Sequence, residues 1–73
     1  MFIELTKIQG SPLTINLDHV VEVDKHPQGC RITLTGRSSS PILVAQDYTE
    51  VKEMISGAMG QRILNPKNYK SDD

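Results

Sequence analysis

The residues best suited to contact a ligand stand together in one polar segment. Gly36, Arg37 and three consecutive serines precede Pro41. They offer a guanidinium, hydroxyls and backbone N–H groups, which are the groups that bind a phosphate. The segment is not a P-loop, because it has no lysine and no helix is predicted directly after it. A solvated connection between two strands is the alternative interpretation.

Self-association would strengthen this candidate site. In an oligomer, several copies of the arginines and serines could converge on an axis or interface. A nucleotide-like anion could then bind between subunits even if a single subunit has no pocket. The candidate ligand-binding residues are Arg31, Arg37, Ser38, Ser39 and Ser40.

Catalysis and metal binding are not predicted. The chain has no Gly-x-Ser-x-Gly segment, and no serine is placed beside a histidine with an orienting carboxylate. The zinc-binding spacings of cysteine and histidine are missing too. We therefore expect no enzyme, no cofactor and no metal site. A metal site would need several side chains to converge, and the nearest candidates are His19, His26, Asp18, Asp24 and Cys30.

Cys30 stands at the start of a predicted strand and is the one cysteine of the chain. A lone cysteine is usually a small apolar residue, and we expect this one to be half-buried. A reactive thiol would need a base and an electropositive setting. The neighbouring Arg31 is predicted to point to the opposite face of the strand, so it does not provide that setting.

Five strands and one helix are predicted to position these residues. Apolar and polar residues alternate with a period of two in the first two-thirds of the chain, which is typical of half-buried strands. Turn-forming residues separate the alternating segments. The predicted strands are 2–8, 13–17, 20–25, 30–35 and 41–45. The fold class is therefore α+β, a small, curved, five-stranded antiparallel β-meander with one C-terminal helix.

The helix is predicted over about residues 48–59 because the apolar spacing changes there to three and four. Asp47 and Glu50 resemble a capping box at its start, and Gly60 is a plausible stop. Residues 1–60 thus form a single β-rich domain, and residues 61–73 a polar tail. The predicted core residues are Ile3, Leu5, Leu13, Ile15, Val21, Val23, Ile32, Leu34, Ile42, Val44, Val51 and Ile55.

Self-association is predicted from size. A chain of 73 residues and 8.1 kDa buries a small core, and with one cysteine it cannot form an intrachain disulfide. Phe2 and Ile8 fall on the face of the first strand opposite its core residues, so they would be exposed in a monomer. Flexible methionines also suit an interface. The predicted interface residues are Phe2, Ile8, Val20 and Met54.

The charge balance argues against nucleic acid as the main partner. Eight Lys and Arg face nine Asp and Glu, for a net charge of −1, whereas nucleic-acid binders usually carry a basic excess. No apolar run is long enough to cross a membrane, so no membrane partner is expected. No basic region followed by an apolar stretch opens the chain, so we expect no signal peptide and a soluble, cytoplasmic protein.

A series of strand, turn and helix residues forms a recognisable pattern: Ile3-x-Leu5-Thr6, Gly10, Asn16-x-Asp18, Val21, Pro27, Ile32-Thr33-Leu34, Gly36, Val44 and Glu50-Val51. In the order and approximate spacing of these residues, the chain resembles the small FlbD-like family of bacterial flagellar operons over about residues 2–57. The resemblance implies a small accessory protein of motility without catalytic residues. The stretch from Ile32 to Val51 is similar, more weakly, to the DNA-binding domain of LytTR response regulators.

Three functions follow as hypotheses. The first is a non-enzymatic, homo-oligomeric interaction module that binds itself and an unidentified protein partner, with a motility role implied by the resemblance. The second is a small protein of phage or mobile-element type that binds or sequesters a nucleotide-like anion at a subunit interface. The third is a weak nucleic-acid-binding module. Salt-dependent affinity for nucleic acid would favour the third, and a co-purified ultraviolet-absorbing ligand would favour the second.

Overall fold

The computed structural model describes residues 1–37 and 39–59. It confirms the α+β fold: five antiparallel strands are followed by one C-terminal helix. The predicted stop at Gly60 and the predicted tail, 61–73, lie outside the described residues. The elements are β1 (Phe2–Thr6), β2 (Pro12–Asn16), a one-turn 3₁₀ helix (Leu17–His19, the 3₁₀ turn), β3 (Val20–His26), β4 (Gly29–Leu34), β5 (Ile42–Val44) and α1 (Tyr48–Met59).

The strands are divided between two sheets. β1 pairs with β2, and β4 lies between β3 and β5. The two sheets meet where β1 ends, because the Ala45 N–H donates to the Thr6 carbonyl at 2.7 Å and Lys7 forms a bridge with Val44. The five strands follow one another along the chain as predicted, but β2 does not pair with β3, so they form a two-stranded and a three-stranded sheet instead of one.

A glutamine side chain strengthens this junction. The Thr6 N–H donates to Oε1 of Gln46 at 2.9 Å, and Nε2 of Gln46 donates to the Thr6 hydroxyl at 3.1 Å. The side chain of Gln46 thus extends the hydrogen bonding beyond the short strand β5. No periodic pattern in the sequence marks either residue for this role.

A β-bulge in β3 overturns one core prediction. Val20 pairs with Leu34 and Glu22 pairs with Thr33, so Val21 is an additional residue without a counterpart on β4. Val21 is 65% exposed, whereas Val20 packs against the core. The alternation predicted Val21 inside, but the additional residue shifts the side-chain pattern of the strand.

The core joins both sheets to the helix. Of the other predicted core residues, Leu5, Ile15, Ile32, Val44 and Val51 are buried, and the rest pack against them. Leu17 and Cys30 are buried as well and were not predicted for the core. Leu17 belongs to the 3₁₀ turn, where the period of two does not apply. Cys30 has no exposed surface, so the expectation of half-burial was too low.

The start of α1 supports a prediction on stability. An oxygen of the Asp47 side chain accepts from the Glu50 N–H at 2.8 Å, as the sequence predicted. Asp47→Ala removes this acceptor and is expected to lower the free energy of unfolding by about 1 kcal/mol. Asp47→Ser, which keeps an oxygen, should retain most of it. Equal losses in both variants, measured by urea denaturation, would contradict the assignment.

Candidate functional site

A groove of about 390 Å³ is the best candidate site in the described part of the chain. It opens between β2 on one side and the ends of β4 and β5 on the other. Its floor is apolar, because inward-facing side chains of three strands meet there. The floor residues are Leu13, Ile15, Leu34 and Ile42. Three of the four are only half-buried, so their apolar surface remains accessible from the groove.

The rim of the groove is polar and contains no acidic residue among those that line it. The rim residues are Thr14, Asn16, His19, Thr35 and Arg37. Two of them are already engaged, since Asn16 Oδ1 accepts from the Asp18 N–H and the Thr35 hydroxyl donates to the His19 carbonyl. In the described part of the chain, the imidazole of His19 and the guanidinium of Arg37 have no hydrogen-bond or ion-pair partner.

Backbone hydrogen bonds position these two donor residues. The His19 carbonyl accepts from the Thr35 N–H at 2.7 Å and from the Thr35 hydroxyl at 3.2 Å, which ties the 3₁₀ turn to the end of β4. The Arg37 N–H donates to the Leu34 carbonyl at 3.0 Å, and the Arg37 carbonyl accepts from the Ser40 N–H at 3.0 Å. The backbone at both positions is therefore held while the side chains stay exposed.

The structure separates the two arginines of the predicted site within one subunit. Arg31 lies on the outer face of β4, where its guanidinium donates to Asp24 at 3.3 Å. Arg37 lines the groove instead. The outward position of Arg31 agrees with the strand alternation, because its neighbours Cys30 and Ile32 point into the core.

The polar segment that begins at Gly36 and contains the serines offers fewer free backbone N–H groups, in its described part, than the sequence suggested. Gly36 adopts a φ of +77°, which favours glycine. The Arg37 N–H donates to Leu34 in the turn that contains Gly36, and the Ser40 N–H donates to Arg37 in the turn that follows. Those two N–H groups are not available to a phosphate, which corrects that part of the prediction. Ser39 and Ser40 are exposed, and Ser38 lies outside the described residues.

The histidines and the cysteine are not brought together for chemistry. Nδ1 of His26 accepts from the Gln28 N–H at 3.1 Å and so holds the β3–β4 turn. Burial raises the pKa of the Cys30 thiol, and the nearby carboxylates of Asp24 and Asp47 raise it further. A buried thiol that keeps its proton is a poor nucleophile. Within residues 1–37 and 39–59, no three His, Cys, Asp or Glu side chains are grouped as metal ligands.

The predicted interface residues are distributed differently from the expectation. Phe2 is 66% exposed. Ile8 is half-buried in the turn after β1 and does not share a strand face with Phe2, because the strand ends at Thr6. Val20 and Met54 are half-buried and pack against the core, and their assignment to an interface stays a prediction. Exposed apolar residues that the sequence did not indicate are Met1, Val21 and Leu43.

Together, the fold and the groove define a small α+β protein with antiparallel strands. Comparison of the chain with family models, curated proteins and solved structures finds no match. The resemblance to FlbD-like proteins therefore stays a hypothesis. As for membranes, no helix within the described ranges is long and apolar enough to cross a bilayer.

Proposed function

We propose that this chain is a non-enzymatic interaction module that works as a homo-oligomer. The supporting observation is the exposure of Phe2, a large aromatic side chain with 66% of its surface in contact with water. Phe2 is the single phenylalanine of the chain, and the fold places it on the surface rather than in the core. Aromatic residues are enriched at protein–protein interfaces, where they contribute large buried areas.

Two further apolar side chains are exposed near the 3₁₀ turn, which adjoins Phe2. The Met1 carbonyl accepts from the Leu17 N–H at 2.8 Å, and Phe2 pairs with Asn16, so the start of β1 adjoins the 3₁₀ turn. Val21 follows that turn on the other side. Met1 and Val21 are 59% and 65% exposed. We call Met1, Phe2 and Val21 the apolar border; its burial in a dimer would stabilise the protein by about 25 cal/mol per Å².

The sheet edges offer a second reason for self-association. β1 and β2 are the edges of the two-stranded sheet, and β3 and β5 are the edges of the three-stranded sheet. Exposed edges present unpaired backbone groups to other chains, and a bulge is one feature that hinders such pairing. The bulge at Val21 gives β3 this protection, whereas the register of β1 and β2 runs without interruption from Phe2 to Thr6. β1 and β5 already meet through the hydrogen bond from the Ala45 N–H to the Thr6 carbonyl, so β2 is the edge better suited to pair with a second copy.

The proposal predicts an assembly larger than one chain. Light scattering coupled to size exclusion should give a mass at least twice 8.1 kDa at micromolar concentration. Phe2→Glu places a charge in the apolar border and should reduce the mass to that of one chain while the circular dichroism spectrum is unchanged. The matched control is Leu43→Glu, because Leu43 is an exposed apolar residue of β5 outside the border.

Two results would overturn this proposal. One is a mass near 8.1 kDa for the parent chain across a dilution series. The other is an assembly that survives Phe2→Glu but is lost in Leu43→Glu, which would place the contact on β5.

A role as an accessory of motility is part of the proposal and is supported by the FlbD-like resemblance. Location of the gene among flagellar genes would favour that role, and location among phage genes would disfavour it.

A further inference from the structure

We propose that the groove between β2 and the ends of β4 and β5 binds a small organic anion that has an apolar body. This site is distinct from the apolar border and does not depend on self-association. The groove volume of about 390 Å³ lies within the range of small-molecule sites. Such sites usually combine an apolar lining with a few polar groups that orient the ligand.

The charge of the groove's rim favours an anionic ligand. Arg37 carries a permanent positive charge, and its planar guanidinium matches the geometry of a carboxylate or a phosphate. His19 adds a second ring donor or acceptor on the same rim. None of the residues that line the groove is acidic, and Asp18, although next to His19 in sequence, is not among them. A cation would meet Arg37 without a compensating carboxylate.

The apolar floor of the groove favours a ligand with an apolar body. Leu13, Leu34 and Ile42 are half-buried, whereas Ile32 and Val44, deeper in the same fold, have no exposed surface. A ring or short alkyl chain on the floor would remove the remaining apolar surface from water, a favourable change of about 25 cal/mol per Å². Inorganic phosphate lacks this contact, so it should bind more weakly than an aryl phosphate.

The site is held ready for a ligand before binding. The carbonyl of His19 and both backbone polar groups of Arg37 are engaged in hydrogen bonds to the end of β4 or to the following turn. Binding would therefore order two side chains but would not rearrange the backbone beneath them. Such preorganisation reduces the entropy lost on binding.

The test is an NMR titration of the full, ¹⁵N-labelled chain with phenyl phosphate. We expect saturable shifts at groove amides, chiefly those of Thr14, Thr35 and Arg37. Inorganic phosphate has only the anionic group, and benzyl alcohol has only the apolar ring. Each should bind at least about tenfold more weakly than phenyl phosphate. Benzoate in a parallel titration distinguishes the head groups. Tighter binding of benzoate assigns a carboxylate ligand, and tighter binding of phenyl phosphate assigns a phosphate.

Matched arginine variants locate the site. Arg37→Gln should weaken binding of the preferred anion by about tenfold or more. Arg31→Gln should leave the affinity unchanged, because Arg31 lies on the outer face and pairs with Asp24. His19→Ala provides a second variant should Arg37→Gln alter the spectrum of the free protein. The proposal is overturned if neither anion shifts groove amides up to about 10 mM, or if Arg31→Gln weakens binding as much as Arg37→Gln.

Discussion

Replacing Gly29 by alanine is expected to lower the free energy of unfolding by about 3 kcal/mol or more, enough to unfold much of a domain of this size. Gly29 opens β4 with a φ of +153°, a backbone conformation that side chains disfavour. A β-carbon at this position would meet the carbonyl oxygen of Val44 and lie 3.0 Å from backbone atoms of Ala45. These atoms cannot move aside without disturbing the pairing of β4 with β5.

The matched control is the same substitution at Gly57. Gly57 lies within α1 and is exposed, and a β-carbon added there would have open space around it to a distance of 4 Å. Alanine favours the helix by about 0.5–1 kcal/mol over glycine, so Gly57→Ala should raise stability. Urea denaturation followed by circular dichroism measures both effects. A Gly29→Ala variant as stable as the parent would contradict this, because it would show that β5 can move without lowering the free energy of unfolding.

Truncation of Ile32 to alanine is expected to lower the free energy of unfolding by about 2–5 kcal/mol. Ile32 lies at the centre of the three-stranded sheet, where it pairs with Val23 of β3 and with Ile42 of β5. It has no exposed surface, so the lost side chain would leave a cavity between the sheet and its neighbours. The loss combines the transfer of buried methyl groups with the cost of that cavity.

Leu43→Ala on the neighbouring strand is the control for Ile32→Ala. Leu43 pairs with Arg31 on the outer face and is 37% exposed. Its truncation should cost less than about 1 kcal/mol, because little packing is lost at an exposed position. Thermal melts and urea denaturation of the two variants under identical conditions make the comparison. Similar losses in both would contradict the assignment of the core to the inner face.

Local signals in the sequence were sufficient to predict the helix and its cap. Asp47, Glu50 and the apolar spacing after them act within a few residues of one another, and α1 begins directly after Asp47, as they indicate. The position of Val21 could not be predicted in this way. Its exposure depends on the register between β3 and β4, and a single additional residue in one strand reverses which side chains face inward.

The groove was predictable only in part. Arg37 was a candidate because of the glycine and serines around it, and it lines the groove. His19 carried no such signal, since it reaches the rim through the hydrogen bonds of its carbonyl to Thr35, sixteen residues away in the sequence. The outward direction of Arg31 follows from strand alternation. Its ion pair with Asp24 depends on the cross-strand register, in which these two residues are directly opposite.

The division into two sheets determines how the molecule can open locally. In the described part of the chain, the backbone hydrogen bonds between the β1–β2 hairpin and β5 lie at the end of β1, where Thr6 meets Ala45 and Ile8 meets Leu43. The hydrogen bonds between Thr6 and the side chain of Gln46 strengthen the same junction. The rest of the attachment is side-chain packing, chiefly of Leu5 and Ile15.

A hairpin attached in this way can detach as one cooperative unit at a lower free energy than global unfolding requires. Leu13 and Ile15 of that hairpin form part of the groove floor. A molecule bound there would hold these residues in place. The protection of the hairpin amides from hydrogen exchange should therefore increase as the groove becomes occupied.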